Sequence, residues 1–222
     1  MLTLHHLNNS RSQRLMWMFE ELSLDYEVKH YQRNPKTMLA PPELEKIHPL
    51  GKSPVITEGD VVMAESGAII EYVLQNHGPQ FIPEKNTPAY YQYLYWLHFA
   101  EGSLMPPLLL SLVLDKVRTS PMPFFAKPIA KSISQQVSSA FVSPNIKRLL
   151  GYIDAHLENH DWFASDSLTG ADFQMSFPLE AAQARGAIDR RYPNIQRYLR
   201  RIHERPAYQR GLEKGGPYDY AS

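Results

Sequence analysis

Three short clusters hold the residue types best suited to chemistry. Asn8, Asn9, Ser10, Arg11 and Ser12 bring two hydroxyls, two amides and a guanidinium together just ahead of an amphipathic segment. Lys52 and Ser53 stand before Pro54 and the apolar pair Val55-Ile56. Glu65 and Ser66 open the segment that follows a hairpin signal. A hydroxyl donates and accepts hydrogen bonds, and a lysine offers a compact positive charge. Ser66 reads as a helix N-cap with Glu65 just before it. A helix start of that kind presents free N–H groups that attract a carboxylate. The chain has no cysteine, which excludes disulfides, thiolate metal sites and any protein-thiol nucleophile. Its nine histidines include no HExxH pair and no convergent set, so no metal is expected. His5 and His6 are adjacent on a strand and point to opposite faces.

These clusters fall where strands meet helices. Leu2, Leu4 and Leu7 mark a first strand. Leu15, Met18, Phe19 and Leu22 then recur at helical spacing, and residues 26–31 alternate as a second strand. After a polar stretch with Pro35, Pro41 and Pro42, residues 54–57 and 61–63 flank Glu58-Gly59-Asp60 as a hairpin. A helix follows from Ser66 to the stop at Gly78-Pro79. Residues 79–88 carry three prolines and read as a linker. Beyond it only helical patterns remain, over residues 89–116, 125–158, 171–184 and 194–204, with a short helix after Pro206. Met105-Pro106-Pro107 is expected to kink or end the first of these. Thr169 and Asp172 form a reciprocal capping box, a folding element kept out of the site. The fold class is α/β followed by all-α: residues 1–78, a linker over 79–88, and a helical domain over 89–222.

The 222 residues carry 23 basic and 23 acidic side chains. A neutral chain has no overall field to gather nucleic acid or an anionic membrane surface, so neither is expected as a partner. The apolar stretch near residues 104–114 is interrupted by Pro106, Pro107 and Ser111 and reads as too short and broken to span a bilayer. No basic segment followed by an apolar run opens the chain, so the cytoplasm is the expected location.

Taken together, the three clusters and the helical second half resemble the glutathione S-transferase family, on the theta- or phi-like serine-type branch. The combination G-K-S-P-V at residues 51–55 and E-S-x-A-I-x-x-Y at 65–72 carries the resemblance, which covers the whole chain. It implies a thioredoxin-like N-terminal domain in the order β-α-β-α-β-β-α. It implies glutathione as co-substrate, a small hydrophobic electrophile as second substrate, and a homodimer in which each first domain packs on the partner's helical domain. Pro54 would be cis, so that Ser53 offers its backbone to glutathione as an added strand. Ser66 would take the γ-glutamyl carboxylate, Glu65 the γ-glutamyl ammonium, and Lys52 the glycyl carboxylate.

The resemblance also implies a hydroxyl facing the thiol. Ser10 precedes Arg14 by four residues, the family's offset between catalytic serine and helix arginine. Asn8, Asn9 and Ser12 compete for the role, because Arg11-Ser12 stands where serine-type members often carry a proline. Arg14 reads as structural, paired with a carboxylate, and Arg11 is left open between pocket and solvent. The aromatic run Tyr90 to Phe99 reads as core whose inner face lines the second-substrate pocket; His98, Glu101 and Ser103 receive no chemistry. The implied activity is attack of the glutathione thiolate on apolar electrophiles, with peroxidase activity as a close variant. The alternative is a ligand-binding or dimerisation module on the same scaffold.

Overall fold

The computed structural model describes residues 1–221. It opens with β1 (Leu2–Leu7), α1 (Gln13–Glu21) and β2 (Tyr26–Tyr31). A hairpin of β3 (Val55–Glu58) and β4 (Val61–Ala64) follows, then α2 (Ser66–His77). The sheet order is β2-β1-β3-β4, with β1 parallel to β2 and antiparallel to β3. The hairpin turns through Gly59, whose φ of 57° a side chain would resist. β1 lies inside the sheet with all six residues buried, His5 and His6 included. The two histidines do separate to opposite faces: His5 meets Tyr31 and Thr57, and His6 meets Ser12.

One expected element is shorter than anticipated. Between β2 and β3 the helix of the β-α-β-α-β-β-α order is a five-residue 3-10 turn at Pro42–Lys46. Pro41 and Pro42 lack the N–H groups a longer helix needs, and of the turn's residues only Leu44 is buried. With so little apolar face there is nothing to hold a further turn in place.

The remaining helices are α3 (Pro88–Phe99), α4 (Met105–Thr119), α5 (Ala126–Val137), α6 (Ser143–Glu158), α7 (Gly170–Ala184), α8 (Pro193–His203) and α9 (Pro206–Gly215). The prolines at 106 and 107 do not end the helix. A π-turn at Ala100–Leu104 joins α3 to α4 in one run, and a second at Ser138–Val142 joins α5 to α6 just before Pro144. A proline ring clashes with the carbonyl four residues back, and the wider π-turn gives that carbonyl room. The joined run Pro88–Thr119 is 32 residues, by length and composition enough to cross a membrane, contrary to the expectation of a broken segment. Here it packs into the protein core through Tyr93, Trp96, Leu97 and Leu104.

α7 is the central helix, buried from Gly170 through Ala182, and it packs against α1, α2 and α3. Its start carries the expected capping box. The Asp172 carboxylate accepts the Thr169 N–H at 2.8 Å and the Phe163 N–H at 3.0 Å. α9 lies directly on α1. A Cβ on Gly211 would stand 3.0 Å from the Trp17 backbone nitrogen, and Gln13 donates to the Gly211 carbonyl at 2.9 Å. The glycine lets the two backbones approach, which brings the C-terminal residues onto the first domain.

Candidate active site at the β1–α1 loop

The loop leaving β1 buries two hydroxyls in series. Ser10 Oγ is 2.7 Å from Ser12 Oγ, and Ser12 Oγ is 2.8 Å from His6 Nδ1. The Ser12 N–H also donates to Ser10 Oγ at 3.3 Å. Ser12 occupies the N-cap of α1, yet its hydroxyl caps no N–H. Burial, with His30 alongside, pushes the His6 imidazole down to about 4, so it is neutral at pH 7. Ser10 lines a cavity of about 690 Å³ together with Arg11 and the apolar side chains of Met105, Leu108, Leu112 and Phe177.

Asn8 and Asn9 line the same cavity, each with a hydrogen-bond partner of its own. The Asn8 side chain accepts the Arg33 N–H at 2.9 Å. Asn9 exchanges hydrogen bonds with Asp219, at 2.7 Å to its carboxylate and 2.9 Å from its N–H. Ser12 is fully buried behind Ser10. The apolar wall was expected from the aromatic run in α3. The wall beside Ser10 comes from α4 and α7, while Tyr93 and Trp96 are buried in the core and Tyr91, Tyr95 and Phe99 line a separate cavity of about 490 Å³.

Behind the loop lies an ion cluster. The Arg14 guanidinium is fully buried; it donates to Glu101 and to the Gln174 carbonyl, each at 2.5 Å, and to Ser66 Oγ at 3.3 Å. Arg11 Nε reaches both Glu101 oxygens at 3.0 Å. Burial raises the Glu101 carboxyl, but Arg14 and Arg11 outweigh it and hold the group below the usual carboxylate range. Arg14 is thus the paired structural arginine that was expected. Glu101 received no role from the sequence. Its signal was an acidic residue in an apolar run just before a double proline.

The other predicted residues are placed around the sheet edge. The Ser53–Pro54 peptide bond is cis. The β1–β3 ladder stops at His5–Val55, and beyond it the Ser53 hydroxyl takes over, donating to the His5 carbonyl at 2.9 Å and accepting the Leu7 N–H at 3.2 Å. The Ser53 backbone N–H and C=O stay outside the ladder. Lys52 is exposed beside it. Glu65, not Ser66, is the N-cap of α2: it is exposed, has a φ of 70°, and Ser66 is buried as the first helical residue beneath Arg14. The hydroxyl expected to cap the helix accepts from Arg14 instead.

Glu65 opens on a second cavity of about 570 Å³, shared with Glu71, His98, Glu101 and Gln174. Ser10 and Glu65 therefore face two clefts, and Lys52 and Ser53 line neither. The C-terminal segment borders the first through Asp219 and Tyr220. Tyr218 donates to the buried Glu180 carboxylate at 2.7 Å, and Tyr220 lies edge-on to Phe177.

Comparison with known proteins gives this arrangement its family. Residues 1–75 match the profile of the glutathione S-transferase N-terminal domain, and residues 122–206 that of the C-terminal domain. Glutathione S-transferase 3 of Schizosaccharomyces pombe is 40% identical over 96% of this chain and 88% of its own. The chain belongs to the glutathione S-transferase family. Glutathione S-transferase 1 of Saccharomyces cerevisiae is 37% identical over 95% of this chain and 93% of its own. A solved glutathione S-transferase from Actinobacillus pleuropneumoniae superposes with a TM-score of 0.82 at 37% identity, covering 100% of this chain and 96% of that one. The architecture is that of the family, a thioredoxin-like domain followed by a helical one, and the family is one of transferases that use glutathione.

Proposed function

We propose that this protein conjugates the glutathione thiolate to electrophilic carbon in small apolar molecules, and that the same thiolate reduces organic hydroperoxides. In this reading residues 1–78 bind glutathione, 79–88 link, and 89–222 supply the electrophile's wall. The tripeptide pairs with the free backbone of Ser53 at the sheet edge. Its γ-glutamyl end faces Glu65 and the start of α2, and Lys52 meets the glycyl carboxylate. Its sulfur reaches Ser10. The observation that carries the reading is the Ser10 hydroxyl, backed by Ser12 and opening on a cavity with an aliphatic and aromatic wall.

The chemistry needed is modest. A free thiol has a pKa of about 8.5, and lowering it by two takes about 2.7 kcal/mol of preference for the anion. A hydroxyl donor at the sulfur and the positive end of α1 are of that scale. The protein then contributes position and a stabilised anion, and the apolar wall keeps the electrophile beside it.

The test has three arms: retention on immobilised glutathione, conjugation of a chlorodinitrobenzene, and reduction of cumene hydroperoxide. Ser10→Ala is expected to lower turnover at pH 7 by up to about 25-fold, following the loss of thiolate, while retention on glutathione persists. Equal turnover in that variant would reject the Ser10 assignment. Retention without turnover across a broad electrophile panel would make the protein a binding module. The reading also includes a cytoplasmic homodimer, which sedimentation of the full chain checks.

A further inference from the structure

Resting on the reading of the Ser10 cavity as the electrophile's place, we infer that the favoured electrophile is an anion: an apolar body carrying a carboxylate or similar group, gripped by Arg33.

The cavity is more cationic than its aliphatic and aromatic wall suggests. Arg11, Arg33 and Arg185 line it against one carboxylate, that of Asp219. The whole chain is balanced at 23 basic and 23 acidic side chains, so the excess is local. Arg11 is neutralised by Glu101, which lines the other cleft. Asp219 accepts from the Asn9 amide at 2.7 Å. Among the described residues Asp219 pairs with no arginine, and neither Arg33 nor Arg185 has a carboxylate within ion-pair range. Two guanidinium groups thus border the cavity without an anion of the protein's own.

Arg33 is half-buried and held in one orientation. Its Nε donates to the Asn8 carbonyl at 3.3 Å and its Nη1 to the Met38 carbonyl at 3.1 Å. Its backbone N–H donates to the Asn8 side chain at 2.9 Å. These acceptors are neutral, so they orient the guanidinium without cancelling its charge. Nη2 keeps its hydrogens free among the described residues. Burial lowers the pKa of the group against the pull of Tyr220, and Arg11 adds to the lowering, so a bound anion would offset a standing cost. The planar fork of arginine matches a carboxylate.

Arg185 lies farther out. Phe177, Ala181 and Arg185 follow at four-residue steps on the cavity face of α7 and its C-cap. Phe177 lies under the Arg11 guanidinium, with its ring centroid at 5.4 Å, and so stands beside the Ser10 loop. Arg185 is two turns on, about 12 Å along the axis. It is exposed, and its charge acts on an entering anion through water. Lys52, given to the glycyl carboxylate, does not line this cavity, so glutathione in its assigned place leaves both arginines free for the second substrate.

The experiment compares 1-chloro-2,4-dinitrobenzene with 4-chloro-3,5-dinitrobenzoate. In each, the thiolate sulfur attacks the carbon that bears chlorine. The C–S bond forms, the C–Cl bond breaks, and chloride leaves with the bonding pair; the benzoate's carboxylate is unchanged. Each kcat/KM is divided by the rate constant of the uncatalysed reaction with glutathione, and the quotient of benzoate over neutral compound is the preference. The wild type is expected to prefer the benzoate about tenfold. Arg33→Gln is expected to lower the preference about tenfold, Arg33→Lys by less, and Arg185→Gln about threefold, the last effect shrinking with added salt. A general loss of activity cancels in the quotient. Calorimetry with the two S-aryl glutathione products reads the same preference without turnover. A wild type that turns over the neutral compound with no preference for the benzoate overturns the inference and leaves the cavity's reading standing. So does a preference that Arg33→Gln leaves in place; a glutathione KM raised in that variant would then give Arg33 to glutathione. If neither compound turns over and neither product binds, the reading of the cavity falls and takes the inference with it.

Discussion

The two clefts that flank the Arg14–Glu101 pair are built by opposite means. The cleft of Ser10 has an aliphatic and aromatic wall from α4 and α7, and Asp219 and Tyr220 of the C-terminal segment border it. The cleft of Glu65 is walled by α2, α3 and the π-turn and gathers three carboxylates, Glu65, Glu71 and Glu101. One sets an aliphatic and aromatic wall beside Ser10, with Arg11, Arg33 and Arg185 as its cationic groups. The other suits a cationic end group such as an ammonium. They meet at a single place: Glu101 lines the acidic cleft, while Arg11, its partner, lines the other. Guanidinium and carboxylate groups are thus divided largely between the clefts, and the ion cluster is the hinge of that division.

Removing Glu101 tests the division most severely. The Arg14 side chain has no exposed surface, and Glu101 is its only ion-pair partner among the described residues. Glu101→Gln strands a buried guanidinium, and leaving a buried charge unpaired costs about 3 kcal/mol or more. Urea unfolding is expected to show that loss, with both substrates' KM values raised. Arg11→Gln breaks an ion pair that is about a third exposed on each side, and is expected to cost less than about 1 kcal/mol. Similar losses in the two variants would show that Arg14 is satisfied without Glu101, and the hinge would be lost from the account.

What the sequence revealed and what it hid divide along a related line. Hydrophobic spacing marked β1, α1, β2, the hairpin and the later helical runs, with α3–α4 and α5–α6 each as one pattern, because such patterns are local. The three clusters were visible for the same reason: caps, prolines and strand ends are local. Pairings across the chain were not. Arg14 and Glu101 are 87 positions apart, and Asn9 and Asp219 are 210 apart. Ser66 was read as a cap because its local setting is that of a cap; the tertiary partner Arg14 claimed its hydroxyl instead. The prolines at 106 and 107 were read as a break because their clash is local, whereas the remedy, a π-turn over the preceding five residues, carries no periodic signature.

A smaller effect separates the clefts rather than uniting them. Gly211 holds α9 against α1, and its added Cβ would meet the Trp17 nitrogen at 3.0 Å and the Met16 carbonyl carbon at 3.2 Å. These are backbone atoms and cannot swing aside. Gly211→Ala is expected to push α9 outward at a cost of about 2 kcal/mol. That movement shifts the segment that follows α9 and borders the Ser10 cleft. The electrophile's KM is expected to rise and the glutathione KM to hold. A rise in both would mean that α9 supports the acidic cleft as well.

The smallest expected effect bears on the C-terminal segment alone. Asn9 is joined to Asp219 by two exposed hydrogen bonds, while Tyr218 remains anchored on the buried Glu180. Asn9 has a φ of 49°, where alanine would add strain of its own and obscure the result. Asn9→Gly keeps that backbone angle available and removes only the side chain. Exposed hydrogen bonds contribute about 0.5 kcal/mol net, and part of that is returned as freedom of the segment. The electrophile's KM is therefore expected to rise about twofold, with glutathione binding and stability within about 0.5 kcal/mol of wild type. An unchanged electrophile KM would show that Asp219 and Tyr220 border the cleft without contributing to it, and that its apolar wall is complete with α4 and α7.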